Sequence, residues 1–232
     1  MADYQVRYQT ISVGSTDYLI RSLLDSQQFD DPLGEAAGLG ISSASWSLFG
    51  QVWPSARVLA GVMDSYALTG KRILEIGAGL GLASLVVHRR QGDMTASDCH
   101  PLSRLFLEEN RLLNHLGPLK YEDGNWAAAN PGLGKFDLII GSDLLYERDQ
   151  PAVLAAFIER HAAVGAEVLI VDPNRSNRPA FRRAMAGQGY LYSESSADCT
   201  FADGEAYKGH FLRFRRVDRA NDADVAESAI LA

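Results

Sequence analysis

The sequence predicts an α/β protein: a doubly wound, seven-stranded, mostly parallel sheet with an antiparallel last strand pair, preceded by an N-terminal β-hairpin. Three observations carry this expectation. From Pro54 to Gly187, apolar runs of four to six residues alternate with stretches of helical periodicity, the pattern of parallel strands joined by crossover helices. At the exit of the first run stands RILEIGAGLGLASL (72–85), with Gly77, Gly79 and Gly81 crowded into five residues. The last two β-prone runs, YLYSES (190–195) and HFLRFRRV (210–217), have no helical pattern between them, so they are expected to pair antiparallel at a sheet edge.

Residues 4–25 hold two β-prone runs on either side of Gly14, Ser15 and Thr16, turn residues that predict the hairpin. FDDPLGEAAGLGISSASWSLFGQ (29–51) is rich in Gly, Ser and Ala with little periodicity and reads as a loop-like, ordered cover. Pro54 suits a first helical turn, and Leu59, Val62, Met63 and Tyr66 follow at helical spacing, which predicts the first helix. Then come RILEI (72–76), a helix over 80–90, MTAS (94–97), a helix over 101–116, LKYE (119–122), FDLII (136–140), a helix over 150–163, EVLIV (167–171) and a helix over 178–187. On the 101–116 helix, Leu102, Leu105, Phe106, Leu113 and Leu116 are expected to share the core face. The chain thus divides into a hairpin and cover (1–50), the main domain (51–217), and a tail (218–232) whose four acidic residues face one Arg and which is expected to fray.

At 232 residues, 47% hydrophobic and 22% charged, the chain has room for one domain with a sizeable core and the balance of a globular protein. MADYQVRYQTISVG shows no leader pattern, and no window holds the roughly 20 apolar residues needed to span a bilayer. Neither export nor a membrane partner is expected. Lysine and arginine total 22 against 29 Asp and Glu, a formal charge of −7, which repels phosphate backbones and argues against nucleic acid as a partner. Cys99 and Cys199 are the only cysteines and form no C-x-x-C pair, so neither a disulfide framework nor structural zinc is expected, and a cytoplasmic setting fits.

A strand-to-helix turn with spaced glycines suits a nucleotide-like ligand, because bare backbone can approach closely and the helix start offers free N–H groups. Gly77-Ala78-Gly79-Leu80-Gly81 reads G-x-G-x-G rather than the G-x-G-x-x-G of dinucleotide sites, and Glu75 precedes it by two positions. That favours a ligand without a pyrophosphate. A phosphate-binding P-loop needs Lys and Ser or Thr where this chain has Leu82 and Ala83. An acid is expected about 20 residues on to take ribose hydroxyls, and Asp98 stands there; it also suits the N-cap of the next helix. Asn125 and Trp126 end the following strand, where they could meet an adenine or, for Trp126, the core. Trp53 offers an aromatic face to a sulfonium or an anchor for the first helix.

The form LEIGAGLGL is similar to motif I of the class I S-adenosylmethionine-dependent methyltransferases, a Rossmann-like family. With VWPSARVLA before it and SDCHP, NW and FDLIIGSDLLY after it, residues 51 to about 175 resemble the protein lysine methyltransferase branch, whose members act on calmodulin, valosin-containing protein and electron transfer flavoprotein. The resemblance implies S-adenosyl-L-methionine as cofactor, held by Trp53, Glu75, Gly77, Ala78, Gly79, Gly81, Asp98, Asn125, Trp126 and Ser142. Asn125 departs from the Asp that many relatives carry. The D-x-x-Y motif of that branch corresponds to Asp143-Leu144-Leu145-Tyr146, which implies that Asp143 and Tyr146 orient a substrate lysine; capping and packing are their bland alternatives.

The [DN]-P-P-[YF] of adenine and glutamine methylases is absent, as are a paired-glutamate loop and an evident metal-ligand cluster. The resemblance to the lysine methyltransferase branch implies a protein lysine as the acceptor. A small-molecule amine, carboxylate or hydroxyl is the alternative, and a noncatalytic binding module a remoter one.

Overall fold

The computed structural model describes residues 4–216; the tail expected to fray (218–232) lies outside the described residues. Strands β1 (Val6–Val13) and β2 (Thr16–Leu23) form the expected hairpin, turning at Gly14 and Ser15. The cover is ordered as expected but is not a plain loop. It winds into α1 (Glu35–Gly38), α2 (Ser43–Trp46) and a 3-10 turn (Ser47–Gly50), elements too short to leave a period in the sequence. Asp31 accepts from the Ala36 and Ala37 N–H groups, and Ser42 and Ser45 cap α2 reciprocally, so side chains satisfy helix starts that cannot stand alone.

Helix α3 (Pro54–Met63) begins at its proline, and the alternation then runs β3 (Arg72–Ile76), α4 (Leu82–Arg89), β4 (Asp93–Asp98), α5 (Ser103–Leu113), β5 (Lys120–Asp123), β6 (Phe136–Ser142), α6 (Gln150–His161), β7 (Ala162–Asp172), α7 (Arg178–Gly187) and β8 (Tyr190–Ser196). A two-residue hairpin that the sequence reading missed, β9 (Cys199–Thr200) with β10 (Ala206–Tyr207), precedes β11 (His210–Arg216). The seven-stranded sheet has the order β5-β4-β3-β6-β7-β11-β8. β11 runs antiparallel to both β7 and β8, and the other pairs are parallel.

Adjacent residues of the central strands point into opposite cores. Ile73, Leu138 and Leu169 pack with α3, α4, α5 and the hairpin, while Leu74, Ile139 and Ile170 pack with α6 and α7. Both faces are thus apolar, which is why these strands read as continuous hydrophobic runs. Parallel strands also deliver β3, β4, β6 and β7 to one common end, and the site lies there.

Two expectations need correction. The helix expected over 150–163 stops at His161, and β7 starts at Ala162, five residues before EVLIV. Phe136 pairs with Ala162 and Leu138 with Glu167, so extra residues, including Gly165 at φ 71°, are accommodated as an irregularity on one strand. On α5, Leu105 is exposed, and the buried stripe is Ser103, Phe106, Leu107, Asn110 and Arg111.

The buried Asn110 has a purpose: its side-chain oxygen accepts the Arg21 N–H (2.7 Å) and its nitrogen donates to Arg21 O (3.2 Å). One turn on, Asn114 does the same for Leu19, at 3.0 and 2.8 Å. The two amides attach β2 to α5, and apolar counting cannot see a polar residue that is buried because it is paired. Asn110→Leu is expected to cost about 2–4 kcal/mol, since it strands two backbone groups at once. Thermal unfolding together with amide exchange along Thr16–Leu23 checks this; unchanged exchange at Arg21 would show that the hairpin needs no such anchor.

Candidate active site

One cavity of about 510 Å³ opens at the carboxyl ends of β3, β4 and β6. Of the residues expected to bind a cofactor or substrate, Trp53, Gly77, Ala78, Gly79, Gly81, Asp98, Asn125, Trp126, Ser142, Asp143 and Tyr146 all line it. Glu75 does not. It is buried beneath the loop, where its Oε2 accepts the Ser84 N–H (2.8 Å) and, at close range, the Ser84 hydroxyl. Its carboxyl therefore caps the third residue of α4 and ties the loop to the helix that follows. Burial pushes it up to about 7, against the pull of the Ser84 donors.

Gly77, Gly79 and Gly81 have φ of 60°, 53° and 73°, the left-handed region that side chains resist. At Gly79 a second constraint acts, because a Cβ there would sit 2.8 Å from the backbone carbonyl oxygen of Phe49. The cover presses its main chain onto the loop, and only glycine leaves room. Trp53 helps hold the cover down, its indole N–H donating to Leu48 O (2.8 Å) while the residue lines the cavity.

Asp98 ends β4 with each oxygen holding one N–H: Oδ2 takes Gly79 (2.8 Å) and Oδ1 takes His100 (2.8 Å). A carboxylate has about four lone-pair positions, so acceptor capacity remains for two hydroxyls. Burial raises its pKa, with these donors opposing. Asn125 uses its side-chain oxygen on the Ala127 N–H (3.0 Å), fixing the turn after β5, and the Trp126 ring passes beside Gly77. Cys99 faces the cavity with its thiol pushed up to about 12 by burial and by Asp98, which makes it a wall and not a nucleophile.

At the other end of the cavity Asp143 has φ 53°, unusual for a residue with a side chain. Its N–H donates to Val171 O (2.9 Å). Its carboxylate receives the Arg175 guanidinium through two bonds, Nε at 2.7 Å and Nη2 at 2.9 Å. Tyr146 keeps 43% of its surface exposed, yet its hydroxyl is desolvated and pushed up to about 12, so it stays protonated and can donate a hydrogen bond near neutral pH. Arg175, an ordinary exposed arginine on sequence grounds, also lines the cavity, as do the cover residues Ile41, Leu48 and Phe49, to which the sequence assigns no role. Trp46 and Phe49, an aromatic pair three residues apart in a Gly- and Ser-rich stretch, were the available signal for the cover.

His100 stacks on Phe49 (centroids 3.8 Å, 15° between planes) and meets Trp46 edge-on at 5.5 Å. Burial depresses its pKa to about 4, with Asp31 pulling the other way. A histidine whose pKa is lower folded than unfolded stabilises the protein above about 6.5, and that contribution is lost as pH falls towards 4. Glu75 has the opposite sign: its contribution is full below its ordinary value of 4.5 and is lost as pH rises through about 7. Between pH 4.5 and 6.5 the two offset each other. His100→Phe is therefore expected to gain stability relative to wild type as pH falls through this window, by up to about 3 kcal/mol. Thermal unfolding at half-unit pH steps checks it, and parallel profiles would contradict the assignment.

The sheet order and the position of the cavity define the methyltransferase fold. Its solved likeness includes a ribosomal protein L11 methylase from Lactobacillus delbrueckii subsp. bulgaricus, at TM-score 0.56 and 17% identity over 71% of this chain and 79% of that one. Residues 41–183 match the family model described as lysine methyltransferase, and the chain belongs to that family. It is 30% identical over 139 residues to the electron transfer flavoprotein beta subunit lysine methyltransferase of Rattus norvegicus, covering 58% of this chain and 52% of that protein. Over 134 residues it is 33% identical to the magnesium-protoporphyrin O-methyltransferase of Rhodobacter capsulatus, covering 56% and 55%. The chain spans about half the length of these curated relatives.

Proposed function

We propose that this protein is an S-adenosylmethionine-dependent methyltransferase that N-methylates a lysine side chain of a protein. The observation that carries the reading is the continuity of one cavity from the positive-φ glycine loop and Asp98 to the Asp143–Tyr146 wall. The residues fit the cofactor. Bare loop backbone suits its amino-acid end, Asp98 retains acceptor capacity for a ribose diol, and Cys99 and Trp126 give largely apolar walls for a flat base. When bound, the cofactor supplies an electrophilic methyl group on a sulfonium.

This chain's own residues then align the nucleophile and keep water out. Asp143 offers a fixed acceptor to the amine, Tyr146 a hydroxyl oxygen and an aromatic side, and Leu48, Phe49 and Trp53 close the cavity above. A protein acceptor is supported by membership of the lysine methyltransferase family and by the names of such relatives. The O-methyltransferase similarity favours a small-molecule hydroxyl as second reading. Free Cys99 and Cys199 support a cytoplasmic setting, and the charge of −7 argues against nucleic acid.

The test is to incubate the protein with methyl-labelled S-adenosylmethionine and a cell lysate, then digest and dialyse. Label in methyl-lysine of a protein is the expected result. Label that dialyses away without digestion favours the small-molecule reading, and binding of S-adenosylhomocysteine without any transfer would identify a noncatalytic module.

A further inference from the structure

Arg175 has no role in the reading above, yet it is the cation seated on the carboxylate to which that reading assigns the substrate amine. Both oxygens of Asp143 are engaged by it, at 2.7 and 2.9 Å, and both residues line the cavity. The pair is built rather than incidental. Asp143 is held at φ 53° with its N–H on Val171 O. Arg175 is fixed from below, its backbone N–H donating (2.9 Å) to Oδ1 of Asp172, which is fully buried and whose Oδ2 has no partner among the described residues. The planar guanidinium fork thus engages the Asp143 carboxylate through two bonds, while the Asp172 carboxylate holds the Arg175 main chain.

This arrangement bears on a chemical difficulty. A free lysine is an ammonium at neutral pH, its pKa being about 10.4, and an ammonium has no lone pair with which to take a methyl group. An unpaired Asp143 would make matters worse, because a bare carboxylate holds the ammonium form. A carboxylate already neutralised by a guanidinium does not, while its remaining lone pairs can still accept an N–H from a neutral amine.

We propose that Arg175, by neutralising Asp143 at the cavity wall, selects the deprotonated form of the substrate lysine. The inference rests on the lysine methyltransferase reading and adds to it a residue that sets the protonation state of the acceptor. The proton leaves the ammonium for solvent as the side chain enters. The amine lone pair then forms the new N–C bond while the S–C bond breaks, its electron pair staying on sulfur, and the positive charge passes from sulfur to nitrogen.

The charged and titratable groups facing the pair are few. Tyr146 approaches from the β6–α6 segment and stays protonated at working pH. Asp172 lies beneath with Arg178, and Tyr207 approaches from β10 with its hydroxyl pushed up to about 12. Glu147 and Asp149 line the same cavity at its exposed lip. None of these supplies a cation in bidentate contact with Asp143.

The experiment uses the full chain and the acceptor protein found by lysate labelling, and compares wild type with Arg175→Gln, Arg175→Lys and Asp143→Asn. In wild type, binding of acceptor to the S-adenosylhomocysteine complex at pH 8 is expected to release protons, read by calorimetry in two buffers of different ionisation enthalpy. Arg175→Gln should abolish that release. It should also move the acid limb of the kcat profile up by about one pH unit or more, lowering kcat at pH 7 about tenfold or more while KM stays level or falls.

Arg175→Lys keeps the charge and should keep the wild-type limb. Asp143→Asn leaves the guanidinium uncompensated and should move the limb down, so the proposal stays testable if Arg175→Gln fails to fold. A wild-type proton release and an unmoved limb in Arg175→Gln would overturn the inference with the lysine reading intact. If wild type labels no protein lysine, that reading fails and the inference with it.

Discussion

Gly79→Ala is expected to abolish S-adenosylhomocysteine binding and to lower stability by several kcal/mol, while Gly70→Ala costs only about 1 kcal/mol and leaves binding intact. The two glycines share the left-handed conformation, with φ of 53° and 72°, and so share the backbone penalty of an added Cβ. They differ in surroundings. A Cβ at Gly70 meets nothing within 4 Å, whereas at Gly79 it meets Phe49 O at 2.8 Å, a main-chain atom that cannot rotate away. To admit the methyl group, either the cover lifts or the loop shifts, and the loop is pinned through Gly79 N–H to Asp98. Calorimetric titration and thermal unfolding of both variants separate conformational strain from the clash. Equal losses at the two positions would show that the contact between cover and loop is not what requires glycine.

Asp143→Asn is expected to reduce turnover by about 100-fold or more with S-adenosylhomocysteine affinity within a few-fold of wild type. Asparagine is chosen because it tolerates positive φ as aspartate does, so the backbone stays and the charge goes. The ion pair with Arg175 is lost, and with it the fixed direction of the acceptor proposed for the amine. A misplacement of about 1 Å is enough for a loss of this size. Tyr146→Phe should act in the same sense and more weakly, since only a hydroxyl is removed. Single-turnover assays beside cofactor titrations check both, and full turnover in the two variants would take the catalytic role from this wall.

The fold was legible because its signals are local and repeated. RILEI, FDLII and EVLIV are apolar on both faces since both faces are covered, and the glycine loop with Asp98 carries its ligand chemistry in the residues themselves. Glu75 was legible as important but not in its role: only the fold shows that its carboxyl turns under the loop to Ser84 and away from the cavity. Arg175 was illegible because an arginine after a strand is ordinary on a surface; what makes it unusual is Asp143, 32 positions away in sequence. Asn110 and Asn114 stayed hidden for a related reason, as polar residues whose burial depends on partners in another element.

That pair of asparagines makes α5 behave towards β2 as a neighbouring strand would, and the substitution has a built-in limit of pitch. Four residues of α-helix rise about 6.0 Å, while two residues of strand advance about 6.8 Å, so successive rungs drift apart by roughly 0.8 Å. Two rungs, Asn110 on Arg21 and Asn114 on Leu19, tolerate that drift. A third would be badly out of step, and the next position towards the helix start is Phe106, which packs in the core instead. A helix can therefore seal the edge of a hairpin over only a few residues, and the rest of β2 depends on Tyr18, Ile20 and Leu23 reaching the shared core.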